Sequence, residues 1–262
     1  MIPSDCTVAP NSTGRARPGF KPLLAVAILA SLLTGCSTYH VPGARADLQA
    51  FAPEAIQEAF AAVPSNPFPA AIAAVRVQAP GYTNHYLRRH GGTYGKGRYS
   101  VILTREVEEQ EQVDRITALP QVNGLTGLNR LLLPQQLDSD AELRTAAARL
   151  HADLLLIYTF DTVFSDHDKA VPLSVITLGL SPTRHINVST TVSALLLDTR
   201  TGYIYTTYEA TERESMLTTS WGSTDAADAA RLRTERKAFA GLVDSFVSSW
   251  PQLLARHAPG GS

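Results

Sequence analysis

The run Leu154-Leu155-Leu156-Ile157-Tyr158-Thr159-Phe160 is apolar on both sides of any strand built from it. Such a strand has no face to offer to water, so it needs cover on both sides or a central place in a sheet. The residues just before it supply one layer. Ser139 and Glu142 have the spacing of a capping box, Leu143, Ala146, Ala147 and Leu150 fall on one helical stripe, and Asp153 ends the helix. A capped helix running straight into a doubly buried strand predicts an α/β (α+β) fold: a single mixed sheet with helices packed on it.

The segments around this unit fit the same class. Ala71 to Gln78, bounded by Pro80-Gly81, is expected as a first strand, and a polar, glycine-rich stretch follows it to Gly97. Tyr99 to Val107 has the pattern of a second strand, with Val101 and Leu103 on one face and Ile102 on the other. Glu108 to Leu119 is expected as a helix with Val113, Ile116 and Leu119 inward, ended by Pro120. Leu128 to Leu133 is a short apolar run that fits a strand or a turn. Ile186, Val188, Val192, Ala194 and Leu196 alternate with polar residues, as in a half-buried strand. Asp198-Thr-Arg-Thr-Gly202 supplies a turn, after which Tyr203 to Thr211 returns antiparallel in a C-terminal β-hairpin. Asp225 to Leu254 is expected as a long closing helix that carries Phe239, Leu242, Val243, Phe246, Val247, Trp250 and Leu254 on one side, with Pro251 kinking or ending it. A short helix from Pro53 to Ala62 would turn Ile56 and Phe60 inward.

The amino-terminal region has a different character. Residues 1–22 are polar with basic Arg15, Arg17 and Lys21, and an apolar run covers Leu23 to Leu33. That run is too short for the ~20 residues of a spanning helix and has the length of a signal-peptide core. It ends in Leu33-Thr34-Gly35-Cys36, which resembles at every position the lipobox of bacterial lipoprotein precursors. The resemblance implies cleavage before Cys36, a diacylglyceryl thioether on its sulfur, and acylation of the new amino group. Two or more chains anchor stably where one is marginal, because each buried methylene adds ~0.8 kcal/mol. Ser37 stands where many such proteins carry Asp when retained at the inner membrane, so the resemblance favours the outer membrane. The expected organisation is a signal peptide at 1–35, a lipidated tether at 36–50, one domain at 51–258 and a tail at 259–262. The polar lead is long for a signal peptide, and no second Met occurs before Met216, so a later start would need a non-Met codon.

Removing 35 of 262 residues leaves 227, enough for one domain with a sizeable core. The full chain has 23 basic and 24 acidic residues; the removed part takes Arg15, Arg17, Lys21 and Asp5, which leaves 20 and 23, a net of −3. That balance gives no footprint for nucleic acid. Cys6 leaves with the signal and Cys36 is the one cysteine that remains, so no disulfide forms within the mature chain.

No constellation makes a convincing active site, and no metal or cofactor is expected. Gly91 to Gly97 lacks the phosphate-loop spacing, with His90 and Gly97 where glycine and a hydroxyl residue would be required. His85 and His90 are five apart, and Asp166-His167-Asp168 falls in an expected loop, without the three or four converging ligands of a metal site. Asp161, at the end of the buried strand, fits a turn or cap better than a catalytic role. Tyr203, Tyr205 and Tyr208 suit cross-strand pairing better than a sugar platform. The apolar segment Val171 to Pro182 either folds against the core or offers Val175, Ile176, Leu178 and Leu180 to a partner or the bilayer.

Helix Asp140–His151, strand Leu154–Phe160 and the hairpin Leu195-Leu-Leu-Asp198-Thr-Arg-Thr-Gly202-Tyr-Ile-Tyr205 together resemble the small α/β domains of periplasmic lipoproteins in the curli-secretion and penicillin-binding-protein-activator group. They are similar also to the amino-terminal domain of the Tol-system propeller protein. The resemblance spans roughly residues 99–250, departs from the pattern in the glycine-rich 90s and at 165–185, and transfers no functional residue. It implies an envelope protein without catalysis that docks on other proteins or on copies of itself, with the bilayer as a further partner through acylated Cys36. The alternatives are a periplasmic hydrolase of wall or glycan that uses His85, His90, Asp161, Asp166 or His167, and a small-ligand binding lipoprotein.

Overall fold

A computed structural model describes Arg45 and residues 60–168, 184–218 and 223–258. Cys36, most of the 53–62 helix and the whole 171–182 segment, including Val175, Ile176, Leu178 and Leu180, lie outside the described residues.

The expected α/β class is what the chain adopts. Strand β1 (Ala70–Gln78) leads to helix α1 (His85–His90), the two-residue strands β2 (Thr93–Tyr94) and β3 (Lys96–Gly97), and β4 (Ser100–Ile102). Helix α2 (Gln110–Thr117), β5 (Val122–Gly127), a 3₁₀ turn at Arg130–Leu132 and β6 (Gln136–Leu137) follow. Helix α3 (Asp140–Arg149) precedes the three long strands β7 (Leu154–Asp168), β8 (Arg184–Asp198) and β9 (Ile204–Thr218), and helix α4 (Ser223–His257) closes the fold.

The main sheet has the order β2-β4-β1-β7-β8-β9, with β5 also paired to β1. It is mixed: β7 runs parallel to β1 and antiparallel to β8. One edge of β1 forks, since Arg76–Gln78 pair antiparallel with β4 while Ala70–Ala74 pair parallel with β5.

The side chains of β7 divide between two cores, as their alternation requires. Leu154, Leu156, Tyr158 and Phe160 join Phe239, Leu242, Phe246 and Trp250 of α4 on one face. Leu155 and Ile157 join Leu143, Ala146 and Ala147 of α3 on the other. The capping box of α3 is complete, with Glu142 accepting from the Ser139 amide at 3.0 Å. A 35-residue helix at ~1.5 Å per residue is about as long as a 15-residue strand at ~3.3 Å, so α4 backs the long strands along their length. Pro251 does not end α4, because buried Trp250 and Leu253 on either side keep the helix docked despite the lost hydrogen bond.

Several expectations need correction. The strand foreseen from Tyr99 to Val107 is regular only over Ser100–Ile102, after which Leu103 donates its amide to Gly92 O and the chain turns toward α2. The polar stretch before Gly97 holds helix α1, started by the Asn84 side chain, which accepts from Leu87 N, and held by buried Leu87. Leu128 to Leu133, by contrast, takes the second of its two expected forms, a 3₁₀ turn at Arg130–Leu132 with Leu131 exposed. Phe60 is 86% exposed, not inward. Strands β7 and β9 overrun their expected ends by eight and seven residues, and Asp166-His167-Asp168 pairs with Arg184–Ile186 instead of forming a loop.

The stacked pair Phe246–Trp250, both fully buried, anchors α4 to the sheet. Phe246→Ala is expected to cost about 3–5 kcal/mol of stability, read from the shift of a urea unfolding curve.

Candidate functional site

Where α4 crosses the middle of the long strands, the core carries charge. Arg231 and Glu235 of α4, Arg76 of β1 and Glu106 of the β4–α2 connection are all buried. Glu235 Oε2 accepts from Arg231 Nη1 at 2.7 Å and lies 3.5 Å from Arg76 Nη2, while its Oε1 accepts from Thr162 Oγ1 at 3.2 Å. Arg231 also binds Glu106 through Nη2 and Asp228 through Nε at 3.0 Å. Glu106 accepts from Asn84 Nδ2 at 3.1 Å, which ties the network to the cap of α1. The Arg76 guanidinium sits 4.5 Å over the Phe160 ring; its Nε and Nη1 have no hydrogen-bond partner among the described residues. A cation over an aromatic face recovers part of that loss. Burial raises the Glu235 carboxyl above its ordinary range, and the two guanidinium groups pull it back only partly. Fully enclosed, Glu235 is out of reach of any substrate, so the network is a latch between α4 and β1.

The fork in β1 leaves a cavity of about 70 Å³ lined by Arg76, Thr104, Glu108, Ile116, Tyr158 and Phe239. Tyr158 Oη donates to Glu108 Oε1 at 2.7 Å on its wall. The cavity is several-fold smaller than the ~300–1,000 Å³ of a typical ligand pocket.

The sequence-predicted candidates do not gather around it. His90 stacks on Tyr86 and its Nδ1 lies 3.0 Å from Tyr86 O, whereas His85 Nε2 is 4.0 Å from exposed Asp225 Oδ1. Asp161 stands mid-strand in β7 opposite Thr191, not in a turn. The side chains of Asp166 and His167 lie outside the described residues. Tyr203 and Tyr205 make edge-on contacts with each other and with His257, while Tyr208 is buried and hydrogen-bonded to Ser249 at 3.0 Å. Among the described residues no group of three His, Cys, Asp or Glu side chains is placed to hold a metal ion.

The Asp198 turn is a structural centre. Its Oδ1 accepts from the Arg200 and Thr201 amides at 2.9 and 3.2 Å, and its Oδ2 accepts from the Ser65 amide at 2.8 Å, the Ser65 hydroxyl and the Tyr205 hydroxyl at 3.0 Å. Gly202 closes the turn at φ +73°. Burial alone would raise this carboxyl, but the donors from Ser65, Thr201 and Arg200 outweigh it and hold it below its ordinary value.

What the molecule does expose is the outer half of the long strands. On the α3 side, Leu195 and Leu197 of β8 are covered, but Ser189, Thr191 and Ser193 lie beyond the helix. They are flanked by Asp161 and Val163 of β7 and by Glu209, Thr211 and Arg213 of β9. Val163 is 59% exposed there. The change from leucine to serine and threonine on one face of one strand marks where cover stops. Beside this open face runs β9, a 15-residue edge strand with no partner on its outer side among the described residues.

Neither a protein-family model nor a curated protein matches the sequence. Among solved structures, the hypothetical protein CT253 from Chlamydia trachomatis is similar at 10% identity, over 68% of this chain and 96% of that one, with a TM-score of 0.29. A likeness at that score carries no argument.

Arg231→Met leaves the Glu106 and Glu235 carboxylates buried without their shared partner, and is expected to cost about 3–5 kcal/mol in urea unfolding. Asp198, whose folded value is depressed, contributes stability that is present above its unfolded value near ~3.9 and is lost as pH falls through the folded one. The stability gap between the native chain and Asp198→Asn should therefore narrow below about pH 4, as measured by urea titrations at a series of pH values.

Proposed function

We propose that this chain is an envelope lipoprotein precursor, cut before Cys36 and lipidated there, whose folded part is a non-catalytic interaction or assembly module held at a membrane. The observation that carries the reading is Leu33-Thr34-Gly35-Cys36 directly behind the apolar run from Leu23. Small residues before the cut suit a peptidase subsite, and the run is too short to span. Ser37 favours the outer membrane. The module half of the proposal draws support from the open face around Thr191 and the long outer edge of β9, which are the kinds of surface that take up a protein strand. The resemblance of the Leu195–Tyr205 hairpin to the curli-secretion and Tol-system group points the same way. The hydrolase alternative is less well supported, because His85, His90 and Asp161 do not converge. The small-ligand alternative has the small cavity at the β1 fork to draw on, together with wider, open depressions beside Leu131–Pro134 and beside Val163.

The test is the mass and location of the protein in its own cells. Cys36→Ala is expected to leave a longer chain that carries no lipid, while the native chain begins at acylated Cys36 and stays with membranes after washing in salt and buffer. Maturation of the Cys36→Ala chain to the same membrane-bound species would defeat the proposal.

A further inference from the structure

We infer that two copies of this chain join through the outer edges of their β9 strands, antiparallel and in a register centred on Thr211. The inference deepens the interaction-module reading by naming a second copy as the partner.

Backbone direction comes first. Asp198 donates its amide to Tyr203 O at 2.8 Å, toward β9, and Thr199 donates to Asp153 O at 2.9 Å, toward β7. Strand β8 is regular against β7 from Arg184 to Asp198, so its even-numbered residues bond toward β9 and its odd-numbered ones toward β7. Even residues of β8 lie opposite even residues of β9 from Leu196↔Thr206 to Arg184↔Thr218. The odd residues of β9, Thr207 to Ser215, therefore aim their amides and carbonyls away from the sheet.

Symmetry then selects the register. In a two-fold antiparallel pair one residue faces its own copy, and centring one residue to either side of Thr211 sets Glu209 and Arg213 opposite Thr or Ser and forms no charge pair. Thr211 is the midpoint of Ile204–Thr218, so centring there uses the whole strand. It sets Glu209 opposite Arg213 of the second copy, and Arg213 opposite Glu209, two pairs of opposite charge. Centring two residues either way sets Glu209 against Glu209 or Arg213 against Arg213, and like charges directly opposite are destabilising. All three side chains are exposed and lie on the open face, with Thr211 Oγ1 2.8 Å from Thr191 Oγ1.

Charges on an edge strand usually guard against pairing, and lysine, proline and bulges serve the same end. Strand β9 contains no lysine or proline, and its irregularity opposite Leu196/Leu197 lies near its start, outside the central stretch. Its two charges on the open face have opposite signs and equal spacing from the midpoint. That arrangement attracts a copy of itself.

The test is sedimentation equilibrium of the full chain in detergent, across a concentration series, for the native protein, Glu209→Arg, Arg213→Glu and the double reversal. The native chain should be a dimer, each single reversal should weaken it about tenfold or more, and the double reversal should restore it to within about threefold. In parallel, Thr211→Cys should give an oxidised cross-linked dimer that Thr207→Cys, opposite Ser215 in this register, does not. A monomer at every concentration, a dimer indifferent to the reversals, or equal cross-linking at 207 and 211 would each overturn the inference. An acylated, membrane-held monomer removes this inference and leaves the anchor standing, whereas a charge-sensitive dimer without lipid does the reverse.

Discussion

Between Leu154 and Phe160 the chain carries side chains that avoid water on both sides of one strand, and a helix must therefore lie against each side. Strand β7 becomes the hinge line of the architecture for that reason. Helix α3 reaches it from the sequence immediately before, after a short connection through Asp153. Helix α4 comes from the far end of the chain and must be brought back. The parallel pairing with β1 and the antiparallel hairpin into β8 then follow as the two neighbours that a central strand requires.

The return of α4 is fixed by more than hydrophobic contact. An apolar helix face alone can slide along a long sheet, because one leucine fits much the same groove as another. The buried group of Arg231, Glu235, Arg76 and Glu106 has one arrangement in which each carboxylate meets a guanidinium, and a displaced helix would leave charges in the core unpaired. Its contribution is to register more than to net stability, and it reaches the cap of α1 through Asn84 as well.

Much of this was legible in the residues. The capping box at Ser139 and Glu142, the doubly apolar strand and the Asp198–Gly202 turn are local patterns, and each appears where its spacing places it. Strand β5 was not legible, because Val-Asn-Gly-Leu-Thr-Gly has two glycines and little strand preference; pairing with β1 overrides them. The outer ends of β7 and β9 were hidden because a sheet covered on one face alternates polar residues with few apolar ones, and Ser-Asp-His-Asp then looks like a loop, whereas in β8 the alternation from Ile186 was visible. The charged latch had one visible signal, Arg76 set among apolar neighbours in a strand, which implies a partner without naming it. The edge of β9 had none, since which backbone groups point outward depends on hydrogen bonds that no side chain reports.

Ser65 and His257 both sit beside the Asp198 turn, through the carboxylate of Asp198 and the ring of Tyr205. The chain thus enters and leaves the described body at one pole. The far ends of β7 and β8 lie some 45–50 Å away at ~3.3 Å per residue. Both ends of the described body are therefore gathered at one pole, and the paired strands carry the opposite tip away from them as a stiff arm.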